Sequence, residues 1–380
     1  MGGKLIGIGL AVSIEEYEEL IKQDPANAKV MRPYIGGEDV NSSPSQAPSR
    51  YAIDFTDYTL DEARAWPKLL KIVEERVKPS RMRDNRGTYK TYWWKPGESG
   101  RALYASLAGQ ETCLVCSIVS KHLCFALQPT TLFFSHKLYV FAPCTFTAFA
   151  VLQSRIHTPW TWLLSSTLDT RLNYSASDCF DTFPFPRLNP HESIPAVEAA
   201  GRAFYEARAR YMLDTDQGLT KTYNALKDPE NNDPAVSDLR RLTEAVDRAV
   251  LDAYGWTDIP VPPYCPRTDA EREAVQAFED EVIDRLYVLN GERAAEEERL
   301  GLRTGKKGKQ LKRAAVRVVD ADASSEPPDA PARKKTAKKA TAKKSADTPA
   351  KKTAKKATAK KSAKKAAVKA HADLWTKEEK

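Results

Sequence analysis

Between about Ile53 and Phe185 the chain is dense in aromatic and β-branched residues, and its apolar runs are short. CLVCSIVS (113–120) and TLFFSHKLYVFAP (131–143) read as buried or half-buried strands, while FTAFAVLQS (146–154) fits a helix opening after a turn. The pattern changes after TFPFP (182–186), whose two prolines continue neither a helix nor a central strand. Helical spacing then takes over. Ile194, Val197, Ala200, Phe204, Ala207 and Tyr211 fall on one face of a helix over 193–213. Val236, Leu239, Leu242, Val246, Val250 and Tyr254 predict a second over 236–254, stopped by Gly255. A third opens on a capping box, Thr268 with Glu271, runs through Val275, Phe278, Val282, Leu286 and Leu289, and is expected to end near Gly291. The expectation is an α+β body over 1–186, a small helical bundle over 187–300, and a tail over 301–380.

The tail changes the reading of the charge. The chain carries a formal net charge of +8, but residues 331–370 hold 16 Lys or Arg against one acid, Asp347, so residues 1–330 sum to −6. The eleven residues TAKKATAKKSA occur twice, at 336–346 and 353–363. Beyond about Gly301 bulky apolar residues give way to Lys, Ala, Thr, Ser and Pro, which cannot offset chain entropy, so disorder is expected. Paired lysines at this density bind DNA through counterion release, with steep salt dependence and no sequence preference. The apolar stretch Leu5–Val12 is too short to span a membrane and runs into acidic residues, and six irregularly placed cysteines do not form a disulfide framework. A cytoplasmic protein with no membrane partner is expected.

Seven motifs in order carry a resemblance: RPYIGGEDVN (32–41), RYAIDF (50–55), the basic segment ending in TYWW (91–94), LQSRIHTPW (152–160), RLNYSASDCFDTFPFP (171–186), GLTKTYN (218–224) and AVLDAYGW (249–256). As a set they resemble the C-terminal target-recognition region of MmeI-like restriction-modification enzymes, in which one polypeptide combines endonuclease, adenine methyltransferase and target-recognition domain. The resemblance covers roughly residues 1–300. It implies a mixed-sheet DNA target-recognition domain followed by the helical region.

The resemblance also says what to look for upstream, namely a glycine-rich S-adenosylmethionine loop and an Asn-Pro-Pro-Tyr-type catalytic motif. Gly7-Ile8-Gly9 lacks the acidic strand residue that accompanies such a loop. Val261-Pro262-Pro263-Tyr264 has Val261 where a polar residue would hold the adenine amino group, and it sits between two helices. Asp54 and Asp57 come without a Glu-X-Lys strand and read as structural caps. Cys113 and Cys116, with Cys124 and Cys144 downstream, lie in apolar strand-like runs rather than a zinc knuckle, and read as reduced core thiols. Gln153, Ser154, Arg155 and His157 form a polar cluster with no nucleophile or carboxylate spaced to accompany it, which points to hydrogen bonds fixing a helix N-terminus against the sheet. No catalytic, cofactor-binding or metal residue is assigned, and S-adenosylmethionine is expected in a partner methyltransferase. The chain is expected to be a separated or truncated C-terminal portion of such an enzyme.

DNA contact is assigned to three places. Residues 78–101 hold seven Lys or Arg against two acids, interleaved with Tyr89, Tyr92, Trp93 and Trp94. Within this strip Arg81, Arg83 and Arg86 alternate and offer guanidinium forks to guanine edges, Lys90 and Arg101 offer phosphate contacts, and Trp93 and Trp94 either stack on bases or anchor the strip. Ser135, His136 and Lys137 interrupt two apolar runs as a hairpin tip reaching a groove would. Arg171 and Asn173 precede the Tyr174-Ser175 pair, and an asparagine reads adenine bidentately when it faces the duplex. The reading is a sequence-specific recognition module that binds double-stranded DNA and directs an N6-adenine methyltransferase or endonuclease chain. The alternative is an architectural DNA-binding protein dominated by its basic tail.

Overall fold

A computed structural model describes residues 2, 3, 5 and 8–300, so the tail and the expectation of its disorder lie outside the described residues. In chain order the strands are β1 (Ala11–Ser13), β2 (Met31–Ile35), β3 (Arg50–Ile53), β4 (Thr112–Ser117), β5 (Val119–Ser120), β6 (Phe125–Pro129), β7 (Phe133–Phe134), β8 (Leu138–Phe141), β9 (Ser166–Leu168) and β10 (Arg171–Asn173). The helices of the first half are α1 (Ile14–Gln23), α2 (Gly37–Ser42), α3 (Leu60–Ala63), α4 (Pro67–Arg76), α5 (Lys78–Met82), α6 (Gly87–Thr91) and α7 (Arg101–Ser106). Those of the second half are α8 (Phe146–Gln153), α9 (His157–Leu164), α10 (Pro195–Asp214), α11 (Leu219–Leu226), α12 (Pro234–Tyr254) and α13 (Asp269–Arg299). The class is α+β, as the sequence predicts.

Three small sheets carry the β structure. The first, in the order β1-β3-β2-β7, is mixed: β3 pairs antiparallel with β1 and β2, whereas β7 joins β2 in parallel. The second is the antiparallel set β6-β4-β8, and the third is β5-β10-β9. β9 and β10 form a two-residue hairpin closed by Leu168 opposite Arg171, with Asp169 in the left-handed region (φ +57°). Aspartate tolerates that backbone better than most residues do, and a two-residue hairpin turn requires it.

The segment SHKL does not form the expected hairpin. β7 belongs to the first sheet and β8 to the second, so residues 135–137 carry the chain from one sheet to the other. Ser135 donates its amide to the Ile35 carbonyl at 2.9 Å, and Gly3 forms a bridge alongside it.

Two hydrophobic clusters form the core. One packs the first sheet against α4 and the strip that follows, through Leu10, Val12, Ile53, Phe55, Leu69, Val73, Trp93, Trp94 and Phe133. The other packs the second sheet against α8 and α10–α13, and it runs without a break through Phe183 and Phe185 into the helical region. Helix α8, apolar except for Thr147 and Gln153, is buried on every side. It lies so close to α10 that a Cβ on Gly201 would come within 2.5 Å of the Phe146 carbonyl oxygen. Described residues up to Asn290 fall in one compact unit.

The helix ends follow local chemistry. Pro195 and Pro234 occupy first turns, Asp233 accepts a hydrogen bond from the Ala235 amide at 2.8 Å, and Gly255 caps α12 at φ +78°. Thr268 and Glu271 form the expected capping box. Gly291 does not end α13, which continues to Arg299. The surrounding Glu, Arg and Ala are strong helix formers and outweigh the roughly 1 kcal/mol that one glycine costs a helix.

Candidate nucleic-acid interface

The basic strip folds into short helices, not an extended segment, and this redistributes its side chains. Arg81 lies in α5, where successive residues turn by about 100°. It does not share a face with Arg83 as an extended strand would arrange. Arg81 is only 1% exposed, and its guanidinium donates to the carbonyls of Leu5 (3.0 Å), Tyr92 (3.2 Å) and Lys95. The base-reading role expected of Arg81 is therefore corrected: it ties the strip to the N-terminal segment at Leu5. Burial also pushes its guanidinium pKa down.

Trp93 and Trp94 are corrected in the same sense. Both are buried, Trp93 under Lys78 Nζ (4.6 Å from the ring centre) and Trp94 with its indole N–H on the Tyr58 carbonyl at 3.1 Å. They anchor the strip and do not stack on bases. Ser135 is likewise buried, its amide and hydroxyl engaged with Ile35 and with the Lys137 amide. Next to it His136 is half-buried and Lys137 is exposed.

Six sequence-predicted cations remain on the surface: Arg83, Arg86, Lys90, Arg101, Lys137 and Arg171. Arg86 lies over Tyr89 at 4.0 Å and pairs with Asp84 at 3.0 Å, which holds the Asp84 carboxyl at about 2. Arg101 pairs with Asp57 at 2.7 Å and also donates to the Thr56 carbonyl. Arg171 stands on the exposed side of the β9–β10 hairpin, held at 3.2 Å from Asp169. Asn173 is half-buried and donates to the Ser166 hydroxyl at 2.9 Å, so its amide orders the hairpin. All three residues of β9 are exposed, Leu168 among them, as are Trp162 and Leu163 nearby in the chain.

The polar cluster at 153–157 is structural, as its sequence suggests. Gln153 accepts from the Phe125 amide and the Arg208 guanidinium and donates to the Leu123 carbonyl, so its amide is fully engaged. Arg155 pairs with buried Asp247 at 2.6 Å and donates to the carbonyls of Pro262 and Pro263. The Val-Pro-Pro-Tyr segment is thus a strap closed by a guanidinium. His157 opens α9, fully buried, with Nδ1 donating to the Leu152 carbonyl at 2.9 Å. Burial pushes its pKa down to about 4.

Nor do the other chemical candidates form reactive groups. Asp54 accepts from the Thr56 amide and pairs with Arg32 at 3.3 Å. Cys113 and Cys116 are buried in β4, where burial pushes the Cys113 thiol up to about 12. Among the described residues no group of three or more His, Cys, Asp or Glu is arranged to hold a metal ion. Gly9 is packed against Arg76 and Val77 with no room for a Cβ, so it does not border an open cradle.

Sequence reasoning passed over Lys95 and the carbonyl of Thr56. Lys95 Nζ and Arg101 Nη2 both donate to that one oxygen, at 3.0 and 3.1 Å, across a cleft of about 470 Å³ lined also by Arg81, Tyr89 and Tyr92. The signal was only that Lys95 belongs to the same basic strip.

Residues 4–187 match the family model described as MmeI, target recognition domain. The chain is similar to DNA methyltransferase A of Bacillus subtilis (strain 168), 24% identical over 203 residues, which is 51% of this chain and 21% of that protein. A solved structure of the type IIL restriction-modification enzyme MmeI in complex with DNA shares the fold at a TM-score of 0.54 and 22% identity, over 74% of this chain and 35% of that one. The chain therefore spans about a fifth of the curated relative and about a third of the MmeI chain. Among the described residues no helix is long and apolar enough to cross a membrane.

Proposed function

We propose that this chain is the sequence-reading module of a restriction-modification system and binds double-stranded DNA. The observation that carries the reading is the family match over residues 4–187, laid on a body whose surface presents Arg83, Arg86, Lys90 and Arg101 on one strip and Arg171 on an exposed hairpin. The strip positions the duplex through its phosphates, and the β9–β10 hairpin reaches base edges. Residues up to about 186 read DNA, residues 187–300 brace the reading domain, and residues 301–380 raise the local concentration of DNA without regard to sequence.

Methyl transfer belongs to another chain or to an upstream region, with S-adenosylmethionine bound there and the target adenine flipped out for chemistry. The setting is the cytoplasm. The experiment is reconstitution: the full chain is mixed with an adenine methyltransferase of this family lacking its own recognition region, and modified bases are mapped by sequencing. Methylation confined to one motif supports the reading. Methylation at random, or none, contradicts it.

A second reading is favoured by the charge of the tail, +15 over residues 331–370. In it the protein is an architectural DNA binder. A chain ending at residue 300 would then lose all DNA affinity, whereas the recognition reading has it keep sequence-selective binding.

A further inference from the structure

We propose that the cleft between the basic strip and the first sheet is a binding site for one phosphodiester group of the DNA backbone, held by Lys95 and Arg101 over a floor built by Arg81. This rests on the reading of the chain as a DNA-binding module and names the place where the backbone is gripped.

Arg81 supplies the first argument. It is a buried cation whose hydrogen-bond acceptors are the neutral carbonyls of Leu5, Tyr92 and Lys95. Burying a charge is unfavourable unless a countercharge or a full set of hydrogen bonds compensates it. Its Nε has no hydrogen-bond partner, and neither does the buried hydroxyl of Thr56 on the same cleft wall.

Convergence of charge supplies the second. Lys95 Nζ and Arg101 Nη2 donate to the same Thr56 carbonyl, so the two cations stand within about 6 Å of one another. One carboxylate, Asp57, pairs with Arg101 from the exposed side. Glu62 acts on Lys95 and Asp84 on Arg81 from outside, while the cleft lining itself holds three cations and no carboxylate. A phosphate offers several acceptor oxygens to donors spaced this way, and a lysine with a guanidinium is a common pairing for it.

Shape supplies the third. The cleft, about 470 Å³, is open on the side where Tyr92 stands half out in solvent, which lets a group on a long polymer enter without being enclosed. Ligand and cleft meet through charge, with no base-specific surface, so the contact fixes register and not sequence.

The test is the salt dependence of duplex binding by the full chain, measured for the wild type, Lys95→Met, Arg101→Gln and a control, Lys71→Ala. Lys71 lies on α4, exposed, and removes the same charge outside the cleft. Each phosphate contact contributes about 0.9 to the slope of log K against log salt. Lys95→Met and Arg101→Gln are each expected to lower the slope by about that amount and to weaken all duplexes alike, with thermal midpoints showing that both variants fold.

Slopes equal to those of wild type and the Lys71→Ala control, with wild type binding normally, would overturn the cleft while leaving the DNA reading intact. Failure of the wild type to bind any duplex would overturn both. A rise in thermal midpoint with inorganic phosphate at constant ionic strength, with the slopes unmoved, would assign the cleft to a free anion and overturn the proposal as well.

Discussion

Arg155 and Asp247 lie 92 residues apart in sequence, yet the arginine presents both its backbone amide (2.8 Å) and its Nε (2.6 Å) to the two carboxylate oxygens of the aspartate. The contact joins the α8–α9 junction to α12, and the outer nitrogens of the same guanidinium hold the Pro262-Pro263 strap. A buried pair contributes little over a well-packed apolar one, but removing one member strands the other. Asp247→Ala is therefore expected to lower unfolding free energy by about 3–5 kcal/mol. Urea denaturation of the full chain followed by tryptophan fluorescence checks this, and a loss under 1 kcal/mol would show that the pair does not lock the α8–α9 junction to α12.

His157 gives the stability a pH dependence. Its folded-state pKa lies near 4 because burial disfavours the imidazolium, against an ordinary value of 6.5. Below 6.5 the unfolded chain takes up a proton that the folded one refuses, so stability is present above pH 6.5 and is lost as pH falls toward 4. The loss approaches 1.4 kcal/mol per pH unit and totals about 3 kcal/mol from this residue. Unfolding measured from pH 7 to pH 4 should show the decline, and His157→Gln should flatten that part of it. An equal slope in the variant would assign the decline to other groups.

Gly201 tests the close approach of α8 and α10. On helix propensity alone, Gly201→Ala would stabilise the protein by about 1 kcal/mol. In the fold the new methyl meets the Phe146 carbonyl oxygen and the Ala150 side chain, at 2.5 and 2.9 Å. Overpacking of this kind costs about 1–3 kcal/mol, so the variant is expected to melt below wild type. A higher midpoint would mean that the two helices sit farther apart.

The hairpin and the strip should respond differently to charge removal. Arg171→Ala is expected to weaken discrimination at one base pair by about 1–3 kcal/mol, the range of one good base contact. The double change Arg83→Ala, Lys90→Ala is expected to weaken all sequences alike and to reduce the salt slope by about 1 per lost phosphate contact. Competition binding against single-base variants of a selected site separates the two. Uniform weakening by Arg171→Ala would remove the hairpin from base readout.

Long periodic segments were legible in the sequence. The helices over 195–214 and 234–254 lie within two residues of their predicted bounds, because proline, aspartate and glycine mark their ends by local chemistry. The strip over 78–101 was legible as basic but not as a site. Composition cannot tell that Arg81 points inward to three carbonyls while Arg83 stays outside, since that depends on short helices stabilised by tertiary contacts. Ser135 was misplaced for a similar reason: apolar, polar, apolar spells a hairpin only when both flanking strands share a sheet, and here they belong to two. Lys95 was missed because its meaning comes from Thr56 and Arg101, which only the fold brings to it.

Sequence-selective binding by the folded body is the central claim, and selection from a randomised duplex library tests it most directly. The full chain would be used at a salt concentration that suppresses the nonspecific contribution of the tail, and the retained DNA sequenced. The account predicts an enriched motif of several base pairs, and loss of one position of that motif when Arg171→Ala is used in place of wild type. Retention of DNA with no enriched motif, falling away with salt as the tail's contacts are screened, would contradict it.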